Sequence, residues 1–124
     1  MSSIKIDKSK LLSALEALQK SDVTRIYESV TKQSETYTDG EEKDKLSITG
    51  QGMATIVQDG DGDSGVSTRI YIDGASTPDQ EIPADTFAII FASFTSSLEI
   101  KTYAETAGTY NCSNVNVVGF KRSV

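Results

Sequence analysis

From Leu46 onward the chain is a succession of short alternating runs separated by polar or glycine-containing turns. Ile70 and Ile72 alternate with Tyr71 and Asp73, and Leu98 and Ile100 alternate with Glu99 and Lys101. Side chains on a strand point to opposite faces in turn, so each of these runs has one dry face and one wet face. Such a pattern does not fit a helix, whose apolar positions recur every three or four residues. Strands are expected over residues 46–58, 66–73, 86–93, 97–104 and 114–121. Asp59–Gly65, Gly74–Asp85, Phe94–Ser96 and Glu105–Ser113 are expected between them. Several strands at short spacing indicate an all-β sandwich or barrel. The expected fold is an antiparallel β-sandwich, jelly-roll-like, with an N-terminal α-helix.

The N-terminal part differs. Within residues 4–20, Leu11, Leu15 and Leu18 form one apolar stripe with Leu12 and Ala14 beside it, and Asp7 or Ser9 caps the start. A helix over that whole segment is about 25 Å long. From Asp22 the sequence is compatible with helix or strand; Val23, Ile26, Tyr27 and Val30 favour strand. Residues 34–45 are polar and charged and read as a connector, with Asp39-Gly40 as a turn. The domain expectation is therefore a helix over 1–22, for docking or oligomerisation, and a sandwich over 23–124.

A length of 124 residues fits one domain. With 37% hydrophobic residues the core is small, which favours support from oligomerisation. The net charge is −6 and is unevenly spread. Residues 22–85 carry fourteen acids against five bases, while residues 1–20 carry four lysines against two acids. The acidic middle would repel phosphates and argues against nucleic acid. No segment approaches the roughly 20 apolar residues needed to span a bilayer as a helix. Leu11–Leu18 is interrupted by Ser13 and Glu16, so no secretion signal is expected.

There is no histidine, which removes Ser-His-Asp and Cys-His catalysis and histidine-ligated zinc. Cys112 is the single cysteine and reads as an inert thiol. No pair of carboxylates is singled out for acid–base work, and the chain is expected not to be an enzyme. Gly50-Gln51-Gly52 lacks the context of a phosphate loop and reads as backbone glycines permitting a bulge or close approach. Asp59, Asp61 and Asp63 stand at i, i+2 and i+4, a spacing that can face one calcium ion. Ser64 and Ile70 occupy loop positions that a full calcium loop gives to Gly and an acid. The other reading is a solvated hairpin loop whose charge resists edge pairing. No other cofactor is expected.

Tyr71, Tyr103 and Tyr110, with Asn111 and Asn114, carry two readings: a sugar-binding surface, or cross-strand packing. The run Phe87–Phe91 is apolar on both faces and is expected centrally in a sheet or at a subunit contact. Leu11, Leu15, Leu18, Phe87 and Phe91 are the expected oligomer interface, and a homotrimer is the expected stoichiometry.

The order of pieces resembles a loosely defined β domain found in bacteriophage appendage proteins (tail fibre, head fibre, receptor-binding and decoration proteins). The residues that carry the resemblance are Ile48-Thr49-Gly50-Gln51-Gly52, Ile70-Tyr71-Ile72-Asp73-Gly74, Phe94 to Lys101 with its Ser-Leu-Glu-Ile core, and Val117-Val118-Gly119-Phe120-Lys121. They span roughly the last two-thirds of the chain. The resemblance implies a non-enzymatic virion component that contacts other virion proteins and a host-surface glycan. It places the chain in the virion after assembly in the host cytoplasm. The short helix in place of a long stalk implies a head fibre, a decoration protein or a tail or baseplate appendage. The rival reading is a carbohydrate-binding or adhesin-like module.

Overall fold

A computed structural model describes residues 7–13 and 23–122. Residues 8–13 are helical, and every side chain from 7 to 13 is exposed. Asp7 caps the helix: its Oδ1 accepts from the backbone N–H of Ser9 at 3.0 Å and of Lys10 at 3.2 Å. Leu15 and Leu18 lie outside the described residues.

Ten strands follow among the described residues: β1 (Val23–Val30), β2 (Ser34–Tyr37), β3 (Glu41–Thr49), β4 (Gln51–Gln58), β5 (Ser67–Ile72), β6 (Gln80–Pro83), β7 (Ala88–Phe94), β8 (Ser97–Ala104), β9 (Gly108–Asn111) and β10 (Val115–Arg122). Sheet I has the order β1-β10-β4-β7 and sheet II the order β3-β8-β5-β6. Strands β2 and β9 form a two-stranded ribbon, and every pairing is antiparallel.

Five of the pairings are β1 with β10, β2 with β9, β3 with β8, β4 with β7, and β5 with β6. The chain is thus one long antiparallel hairpin, its tip between β5 and β6, wound so that successive segments fall alternately in the two sheets. Pairing of β10 with β4 and of β5 with β8 closes each sheet. Without the ribbon, the remaining eight strands run 1-8-3-6 and 2-7-4-5, which is jelly-roll order. The fold is mainly β, an antiparallel sandwich with a short N-terminal helix, as the sequence leads one to expect.

The inward faces meet in one apolar core. Sheet I contributes Ile26, Val30, Ala54, Ile56, Ala92, Phe94, Val115 and Val117, and sheet II contributes Ile48, Ile70, Leu98 and Ile100. Gln58 of β4 is buried among them and ties the sheets together. Its Oε1 accepts from the Thr68 hydroxyl of β5, and its Nε2 donates to the carbonyls of Pro83 and Thr86, each at 2.8 Å. A second, smaller cluster of Tyr37, Val66, Ala84 and Ala104 lies against Tyr110 of the ribbon. The buried Tyr37 hydroxyl is 2.7 Å from Thr102 Oγ1.

Several strand expectations change. Residues 46–58 are two strands in different sheets, divided at Gly50, whose φ of 126° turns the chain from sheet II into sheet I. A Cβ there would stand 2.6 Å from the Arg122 carbonyl oxygen. Residues 34–45, expected as a connector, contain β2 and the start of β3. The expected connections 74–85 and 105–113 contain the short strands β6 and β9. All these segments are polar because they lie at edges or ends, where one-sided burial needs few apolar residues. The loop 59–65 joins strands of opposite sheets, so it is a crossover and not a hairpin. The Phe87–Phe91 run is not central: β7 is an edge of sheet I.

Candidate interaction surfaces

The two outer faces of the sandwich differ sharply in chemistry. Register places Tyr27, Val118, Thr55 and Phe91 in one row across sheet I. The next row holds Arg25, Phe120, Met53 and Ser93, and the row on the other side holds Ser29, Asn116, Val57 and Ile89. Alternation forces these side chains outward, because their neighbours Ile26, Val117, Ala54 and Ala92 fill the core. Phe91 is 81% exposed and Tyr27 76%, so the aromatics stand in solvent. Phe87, just before β7, is also exposed. Arg25 lies over the Tyr27 ring at 5.6 Å. A shallow groove of about 500 Å³ runs along one end of this face, lined by Val23, Met53, Phe94 and Phe120 among others.

The outer face of sheet II is an ion-pair lattice. Arg69 Nε is 2.8 Å from Glu81 Oε1 and its Nη1 is 3.1 Å from Glu42 Oε2. Its guanidinium lies 3.5 Å from the Tyr103 ring centre. Lys101 sits between Asp44 at 3.3 Å, Glu42 at 3.6 Å and Glu99 at 3.9 Å, and lies over Tyr71 at 5.1 Å. The Tyr71 hydroxyl donates to Glu42. Partial burial pushes the Glu42 carboxyl up, but donation from Tyr71 and Arg69 and the charge of Lys101 outweigh it and hold it below the usual range. Exposed pairs of this type add little stability, so the lattice chiefly fixes surface charge.

The expected sugar-binding residues fall in two places: Tyr71 and Tyr103 on the outer face of sheet II, and Tyr110, Asn111 and Asn114 in the ribbon and the chain before β10. Tyr71 is buried, and Tyr103 lies under Arg69. Tyr110 packs on Tyr37 with ring centres 6.2 Å apart, and its hydroxyl donates to the Thr106 carbonyl at 3.0 Å. Asn111 Nδ2 donates to Asp63 at 3.2 Å and Asn114 Nδ2 to Asp61 at 2.9 Å. A small cleft of about 160 Å³ is lined by Tyr103, Glu81 and Glu105 among others.

The aspartate loop is held by the chain before β10. Asp61 Oδ1 accepts from the Ser113 hydroxyl at 2.8 Å and the Asn114 N–H at 3.1 Å, which lowers its pKa. Asp63 Oδ2 accepts from the Asn111 N–H at 2.6 Å. Among the described residues no three acidic, histidine or cysteine side chains converge as a metal site. Cys112 is buried, with its thiol 3.6 Å from the Thr31 carbonyl.

The sequence reading includes Phe91 but misses Tyr27, Met53, Val118 and Phe120. A signal for them exists: Met53 to Val57 and Val117 to Phe120 have apolar residues at both alternating sets of positions. A strand that needs only one dry face and has two is presenting apolar surface somewhere else.

No family model matches this chain, and no curated protein matches it. Among solved structures it is similar to PliG of Aeromonas hydrophila, a periplasmic lysozyme inhibitor of g-type lysozyme, at 12% identity and a TM-score of 0.47, over 83% of this chain and 90% of that one.

Proposed function

We propose that this chain is a non-enzymatic bacteriophage virion subunit: a head-fibre, decoration, tail or baseplate appendage part that works by assembly. The observation that supports this best is the exposed apolar outer face of sheet I on a jelly-roll frame. Contiguous apolar surface of this extent marks an interaction site, and its Tyr, Phe, Met and Arg are the residues enriched in protein interfaces. The resemblance to phage appendage domains supplies the virion setting. The lattice face and the loops at its rim are then the solvent side, available to the host surface.

The carbohydrate-binding alternative has less support. Its tyrosines and asparagines are engaged in hydrogen bonds or packing within the sandwich, and Tyr71 is buried.

The test is mass spectrometry of density-banded particles from lysates that contain this protein. The expected result is its presence in the particle band at a fixed ratio to the major capsid protein. Its recovery only in the soluble fraction would overturn the reading.

A further inference from the structure

We propose that the outer face of sheet I is where copies of this chain meet one another. This rests on the assembly reading above and names the occupant of the face.

Area is the first support. Tyr27, Met53, Phe91 and Phe120 are each between 61% and 81% exposed, with Ile89 at 52% and Val118 at 39%. At about 150–250 Å² per aromatic side chain, the group presents on the order of 700 Å². That exceeds the roughly 300–600 Å² of the largest patch on a typical monomer and approaches the roughly 800 Å² each partner contributes to a standard interface.

Charge selects the occupant. The chain has eighteen acidic residues, yet none of the residues projecting outward from the sheet I rows is acidic; Arg25 and Arg122 carry its charges. The outer face of sheet II holds Glu42, Asp44, Glu81 and Glu99. Two copies of an acidic protein repel least where neither brings an acid, and of the two broad faces only sheet I meets that condition. Shape agrees, since the surface best suited to a gently twisted β face is another such face, stacked about 10 Å away.

Sedimentation or light scattering of the full chain over the micromolar range tests this. The expected native mass is a multiple of 13.3 kDa. Phe91→Asp and Met53→Asp are each expected to weaken self-association at least tenfold. Both side chains point away from the core, and an unchanged circular dichroism spectrum will show that the sandwich persists. Ser47→Asp puts the same charge on the outer face of sheet II and is expected to leave the mass unchanged. A wild-type monomer at 100 µM overturns the proposal, as does an oligomer that survives both face substitutions. An oligomer lost instead on Leu11→Ser would also overturn it, assigning the contact to the helix. If the chain self-associates through this face but is absent from particles, the virion reading fails and this inference stands.

Discussion

Asp73 does more for this fold than its place at a strand end indicates. It adopts a left-handed conformation with φ of 54°, followed by Gly74 at 70°, and the Ala75 N–H closes the turn on the Ile72 carbonyl at 3.2 Å. Two consecutive left-handed residues make a primed turn, which Asp-Gly tolerates well. Its carboxylate then accepts from the backbone N–H groups of Ser96 at 2.7 Å, Thr95 at 2.8 Å and Ser97 at 3.2 Å, and from the Thr95 and Ser96 hydroxyls. These donors, led by Ser96, hold its pKa far below the usual carboxylate range. A carboxyl whose folded pKa is depressed contributes stability that is present above its unfolded pKa of about 3.9 and is lost as pH falls from there toward the folded value. Asp73→Asn is therefore expected to lower the Tm at pH 7 by about 3–6 °C, a shift typical of one destabilising change in a domain of this size. The Tm gap between wild type and variant should narrow between pH 4 and pH 2, read by thermal melts across that range. An equal gap at every pH would show that the charge is not what matters. Asp61 gives a second case. Asp61→Asn should lower the Tm by a few degrees equally in EDTA and in millimolar calcium, because the carboxylate already serves Ser113 and Asn114. A calcium-dependent rise in the wild-type Tm that the variant lacks would restore the cation reading. Sequence could not show either role, since the partners lie more than 20 residues away.

Strands β3 and β4 show how a single backbone position divides a run of strand-forming residues. The sequence from Leu46 to Gln58 is compatible with one strand, and its alternation gives no warning of a corner. Gly50 makes the corner: its N–H donates to the Ser96 carbonyl at 2.8 Å, and its φ of 126° is a region that side chains resist. Gly50→Val is expected to cost about 1–3 kcal/mol from backbone strain, with more from the clash on the Arg122 carbonyl. Urea denaturation will measure it, and a change below experimental error would mean that the corner can relax elsewhere. The short strands β2, β6 and β9 were illegible for a different reason. Each is four residues long, and only Tyr37 among the residues of β2 is buried. Pairing with a partner distant in sequence, not local composition, makes them strands. Strand β8 is the opposite case. Its Leu98, Ile100, Thr102 and Ala104 are all buried and its alternate residues are not, so its limits were readable at both ends.

The molecule as a whole is a long hairpin folded over itself, and its two outer faces have different fates. One is tiled with paired charges and is comfortable in water. The other carries seven apolar side chains across three rows, a surplus that 13.3 kDa cannot hide inside. If copies cover it, stability becomes linked to concentration, because association draws only on the folded state. The wild-type Tm is then expected to rise by several degrees between 1 and 100 µM protein, whereas the Tm of Phe91→Asp should not move. Differential scanning calorimetry at the two concentrations decides this, and a wild-type Tm independent of concentration would count against association.

Local sequence by itself determined the β class, the wet and dry faces of β8, and a helix start at Asp7 or Ser9. Each of these follows from neighbours within a few positions, where side-chain direction has a fixed period. The tertiary structure alone decided that Tyr71 lies beneath Lys101, that the aspartate loop is bonded to residues 111–114, and that Tyr27, Met53, Phe91 and Phe120 share one surface. Those residues are brought side by side by pairing between β1, β10, β4 and β7. That pairing is fixed by how the hairpin winds, and no local pattern encodes the winding.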